Sequence, residues 1–187
     1  MLFRSAASAA TAAASGTGLA QEVDRVSRQL ELNATASSAC VLRDPRAVSS
    51  TNAAFSSTGD SRGRIVLTRL VDPDTSVPRA ASAELAIPAT CNASHRVMAI
   101  STKGGLGRIG AAGTPGQGFI QSLPYALRLI WAGTRAEQAS NVGSLALEIS
   151  NGATGDIALR VATPEGGLPL VAGSYDDTIV IQLQPTE

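Results

Sequence analysis

Lysine is almost missing from this chain of 187 residues: Lys103 stands alone, and arginine carries the rest of the positive charge. Lys and Arg together number 15, matched by 15 Asp and Glu, so the net charge is zero. No basic field gathers nucleic acid or anionic lipid. There is one histidine, His95, and there are two cysteines. Two thiolates and one imidazole fall short of a closed zinc site, so no metal centre is expected. Long apolar runs are also missing: nothing approaches the roughly 18 uninterrupted residues of a membrane span. Aromatic residues make up 3% of the chain and charged residues 16%. With Ala, Ser, Thr, Gly and Val dominant, this balance suits a small-residue all-β domain better than a helical bundle. The length suits one domain with a core of its own.

What is present begins with Met1-Leu2-Phe3-Arg4, an Ala-rich run from Ala6 to Ala14, and Gly18-Leu19-Ala20 before polar Gln21-Glu22. A basic residue, a weakly apolar segment and small residues at a cut site are the order of a secretory signal peptide. Residues 1–20 are therefore expected to be a leader cleaved at Ala20–Gln21, residues 21–29 an extension, and residues 30–187 the domain.

Along that domain, short segments alternate apolar and polar residues with period two, the mark of a strand with one buried face. The spacing predicts strands over Leu30–Ala36, Ile65–Val71, Ala83–Ala89, Arg96–Thr102, Tyr125–Trp131, Ser144–Ile149, Asp156–Thr163 and Asp177–Leu183. Turn chemistry separates them, as at Asp72-Pro73-Asp74, Asn151-Gly152 and Pro164-Glu165-Gly166-Gly167. Many short strands with frequent turns point to a sandwich or barrel. Glycine-dense Lys103–Gly118 reads as a long, mobile connection.

An even cysteine count in an exported chain argues for a Cys40–Cys91 disulfide; the alternative is a pair of buried free thiols. Gly105-Leu106-Gly107-Arg108-Ile109-Gly110 matches a dinucleotide glycine pattern, but Gly113-Thr114-Pro115-Gly116 breaks the helix that must follow, and no acidic residue stands about 20 positions on. No cofactor is expected. His95, between Asn92-Ala93-Ser94 and Arg96, reads as a surface or turn residue, and no catalytic set can be assembled around it. Asp176 and Asp177, adjacent in a strand, point to opposite faces and read as solvated residues at the strand's start. Trp131 reads as core or rim. No enzyme activity is expected.

Three stretches carry a family resemblance: Leu30-Glu31-Leu32-Asn33-Ala34-Thr35-Ala36-Ser37-Ser38-Ala39-Cys40-Val41; Ala83-Glu84-Leu85-Ala86-Ile87-Pro88-Ala89-Thr90-Cys91; and the ending Ile157 to Val161 followed by Pro169-Leu170-Val171-Ala172-Gly173-Ser174-Tyr175-Asp176-Asp177-Thr178-Ile179-Val180-Ile181-Gln182-Leu183. They resemble the spore coat protein U domain family, which includes pilins of archaic chaperone–usher fibres. The resemblance implies an immunoglobulin-like β-sandwich lacking its last strand and completed by a donor strand from a neighbouring subunit. It further implies a periplasmic chaperone, an outer-membrane usher and related pilin subunits as partners, a place in an extracellular fibre at the cell surface, and a role in attachment or biofilm. The donor is expected before Leu30, with Val23 and Val26 as its contacts, although their spacing of three departs from the family's clear alternation. Tyr175, Ile179, Ile181 and Leu183 are expected to face the core of the final strand. The rival reading is a non-polymerising surface or coat-associated β-sandwich that binds a ligand through its loops.

Overall fold

The computed structural model describes residues 27–186. Among these residues there is no α-helix, only a single 3-10 turn at Ser140–Val142. The strands are β1 (Cys40–Leu42), β2 (Arg46–Thr51), β3 (Ala53–Gly59), β4 (Arg62–Leu67), β5 (Ala81–Cys91), β6 (His95–Ser101), β7 (Leu106–Arg108), β8 (Ser122–Leu123), β9 (Ala126–Trp131), β10 (Thr134–Ala139), β11 (Leu145–Ile149), β12 (Ala153–Thr163), β13 (Tyr175–Asp176) and β14 (Ile179–Pro185). The fold is all-β, with several antiparallel sheets.

The largest sheet runs β1-β5-β12-β9-β10, with β2 following β1 along the outer edge of β5. A three-stranded sheet runs β11-β6-β14, a second runs β13-β7-β8, and β3 pairs with β4 as a hairpin. The inward residues of β5, β9 and β12 (Leu85, Ile87, Leu127, Leu129, Ile157, Leu159) share one core with Val97 and Ala99 of β6 and Leu145, Leu147 and Ile149 of β11. Period-two alternation supplies that core: Ile157 and Leu159 are buried, while Arg160 between the apolar positions lies on the other face, opposite Glu84 on one neighbour and Arg128 on the next.

Pro88 stands inside central β5, where a residue without an N–H is normally excluded. Its carbonyl accepts from the Arg43 amide at 2.9 Å, so its nitrogen faces the same outer edge. At that point the partner of β5 changes, from β2 with Arg46 opposite Ala86 to β1 with Leu42 opposite Ala89. The missing donor falls in the gap between two partner strands.

In the hairpin, the Phe55 ring lies across Gly63, where an added Cβ would come within 2.4 Å of it. Glycine leaves room for the ring in this position, and any side chain there would have to push the ring aside.

The structure differs from the sequence reading at its start. Leu30–Ala36 forms no strand: residues 27–39 carry no regular structure, and Leu30 and Leu32 are 94% and 95% exposed. The compact unit that holds all the strands runs from Ala36. The glycine-dense stretch contains β7, which pairs with both β8 and β13.

Candidate functional site at the flank beside β14

β14 pairs with β6 in unbroken antiparallel register from Ile179 opposite Ser101 to Pro185 opposite His95. The Thr102 amide donates to Thr178 O at 2.9 Å and the Thr186 amide to Ser94 O at 2.8 Å, so even-numbered residues turn their main chain toward β6. The main-chain groups of Ile179, Ile181 and Leu183 therefore point away from it. Among the described residues β6 is the only strand paired with β14, and this outer row has no strand partner. Pro185, lacking an N–H, ends the row.

The two edge strands of this sheet are not covered alike. The inward side chains of β11, Leu145, Leu147 and Ile149, are 3%, 3% and 8% exposed. Those of β14, Ile179, Ile181 and Leu183, are half-buried although they pack against the same core. β10 lies against β11 and closes that side, whereas β14 has against it the three-residue β1. β2, which continues beyond β1 on the same edge of β5, is exposed along its whole length. Leu42, Phe55 and Ile65 add further half-buried apolar surface at the core's margin. Unpaired backbone and uncovered apolar side chains thus occur together along one strand.

Both ends of the flank are held firmly. At one end the Cys40–Cys91 disulfide joins the first rung of β1 to β5. Asn92 reinforces it: its Oδ1 accepts from the Ala39 amide at 2.7 Å, its Nδ2 donates to Ser37 O at 2.9 Å, and its own amide donates to Ala39 O at 3.1 Å. At the other end Asp177 ties the start of β14 to the loop after β6. Its carboxylate accepts from the hydroxyls of Ser101, Thr102 (3.1 Å) and Tyr125 (2.8 Å), and from the amides of Lys103 (3.0 Å), Gly105 (3.2 Å) and Thr178 (2.7 Å). Burial opposes its ionisation, but the hydrogen bonds from Ser101, Tyr125, Thr178 and Lys103 outweigh that cost and hold the carboxyl below its ordinary 3.8. Burial also holds the Tyr125 hydroxyl well above its usual range, so it remains a donor. Gly105 is required here, because at φ +147° an added Cβ would strike Leu123 O at 2.7 Å. Asp177 is therefore a structural hub rather than a solvated residue. Asp176 is exposed and pairs with Lys103.

Tyr175, half-buried in β13, stands outside the core cluster, and its hydroxyl donates to Val171 O, four residues upstream, at 2.6 Å. Val23 and Val26 lie outside the described residues. His95 is fully buried rather than at the surface, with its ring edge-on to Trp131, itself 2% exposed. Elsewhere, a hollow of about 290 Å³ is lined by Asn52, Arg69, Arg79, Ala80 and Glu165, which pair no nucleophile with a base.

No protein-family model, no curated protein and no solved structure matches this chain.

Proposed function

We propose that the chain is a structural subunit of an extracellular bacterial fibre, joined to its neighbours by β-augmentation along β14. The observation that carries this reading is the unequal cover of the two edges flanking β6. One apolar face is finished within the domain, and the other, with a row of amides and carbonyls that has no strand partner among the described residues, is left for a strand from elsewhere. An extended peptide satisfies both lacks at once, through main-chain hydrogen bonds and alternate side chains set into the cleft.

Two further observations support an immunoglobulin-like sandwich. Its buried faces come from two antiparallel sheets over a single core. Near the start of the last strand, Tyr175 bonds back to the backbone four residues upstream, as does the tyrosine corner of immunoglobulin-like domains. With the resemblance to spore coat protein U domains, this leads to passage through the periplasm, a chaperone that covers the β14 flank before assembly, and an outer-membrane usher. A role in attachment or biofilm follows from a fibre at the cell surface.

The rival, a non-polymerising binding module, draws on the exposed Ile109, Phe119 and Leu168 in the loops. Electrophoresis of native material without boiling separates the two. A ladder of multimers that collapses on boiling is expected, and a lone monomer band from surface material would give the rival the stronger claim.

A further inference from the structure

We infer that the occupant of the β14 flank is the segment Leu30–Ala36 of a second copy of this chain, not the residues before it; this rests on the fibre reading above. Leu30, Leu32, Ala34 and Ala36 fall on one face of an extended chain, and Glu31, Asn33 and Thr35 on the other. That is the pattern of a strand half-buried against a core, yet among the described residues the segment has no strand partner, and both leucines are exposed. β14 shows the converse condition: a strand in place, with three inward side chains half-covered and an outer row of main-chain groups that has no strand partner among the described residues.

The lengths agree, since the segment has seven residues and β14 also has seven. So do the faces. With the apolar row of the segment turned to the core, Glu31, Asn33 and Thr35 turn to solvent, and no charge is buried. Val23 and Val26 do not offer this, because residues three apart in a strand lie on opposite faces. On this inference Leu30–Ala36 takes the donor role that the sequence reading expected of residues 21–29.

The test uses the full chain in three forms: unchanged, Leu30→Asp with Leu32→Asp, and Val23→Asp with Val26→Asp. Both leucines are already exposed, so the first variant should fold with the melting midpoint of the unchanged monomer. On unboiled gels the leucine variant should lose at least ten-fold of the multimer ladder, and the valine variant should keep it. A synthetic peptide of residues 28–37 added to the leucine variant should raise its melting midpoint, and a peptide of residues 20–29 should not. A ladder that survives in the leucine variant and disappears in the valine variant overturns this assignment while leaving the fibre reading intact. If both variants lose the ladder, the peptides decide: stabilisation by 28–37 supports the inference, and its failure overturns it. An unchanged chain that never forms multimers overturns both.

Discussion

The indole Nε1–H of Trp131 donates to Nε2 of His95 at 2.7 Å, and both rings are buried. Because Nε2 accepts, the ring proton lies on Nδ1, which donates to Ala93 O at 2.8 Å. The chain's only imidazole is thereby committed on both sides, and it links the end of β9 to the start of β6.

Replacing His95 by Leu removes the acceptor and leaves a buried indole N–H without a partner, which should cost about 1–3 kcal/mol. Adding Trp131→Phe removes that orphan donor as well, so the double variant should be less destabilised than the sum of the two single changes. Urea unfolding followed by far-ultraviolet circular dichroism measures this cycle. Strict additivity would mean that the pair contributes nothing beyond packing.

Leu147→Ala and Ile181→Ala provide a direct comparison of the two flanks. Leu147 is 3% exposed, and its truncation should cost about 2–5 kcal/mol. Ile181 is half-buried, so in the isolated monomer the same change should cost less, about 1–2 kcal/mol, scaled from the fully buried case. Equal losses in matched denaturation curves would show that the flank beside β14 is covered after all.

Asp177 sets a pH dependence whose sign follows from its lowered pKa. The folded state holds this carboxylate ionised more strongly than the unfolded chain does, so its contribution is complete above the unfolded value of about 3.9. It is lost as pH falls below that value and through the folded pKa. Urea midpoints should begin to drop as the pH falls below about 4, and Asp177→Asn should flatten this part of the profile. At neutral pH the variant should be less stable by about 1.5–3 kcal/mol, the scale of hydrogen bonds to a charged group. An unchanged acid profile in the variant would remove Asp177 from this role.

Cys40→Ser opens a covalent closure spanning 51 positions of sequence and should cost about 2–5 kcal/mol. β1 has only three rungs on β5, so the loss should be local at first. Amide exchange should quicken at Val41 and Leu42 well before it does in β12. Uniform exchange across both strands would argue against a separately anchored β1.

Alternation located β5, β6, β9, β11, β12 and β14 because each turns every second side chain, mostly apolar, toward the core. β2 and β10 escaped it for physical reasons. β2 is exposed throughout and has no face to encode. β10, Thr-Arg-Ala-Glu-Gln-Ala, consists largely of helix formers, and its hairpin turn is Ala132-Gly133 with both residues at positive φ, where Asn or Asp would have signalled it. Leu30–Ala36 carries the clearest alternation near the start of the chain, yet it pairs with nothing in the described residues. A period-two pattern reports a face that is to be buried and does not say which chain buries it. Cys40 and Cys91 were legible as a pair from their number. The hub at Asp177 was not, because its donors are drawn from residues up to 76 positions away and three are backbone amides.

The anchoring of β1 has a mechanical consequence. A pull on the segment before Ala36 reaches Ser37 and Ala39, where Asn92 grips the backbone, and then Cys40, where a covalent bond carries the load across to Cys91. From there it enters β5, which is held to β12 along 11 residues. The three rungs of β1 need not resist the tension, because the disulfide bypasses them. Under tension the weak link lies outside this path, in whatever the pulled segment is attached to, and the domain should outlast its joint.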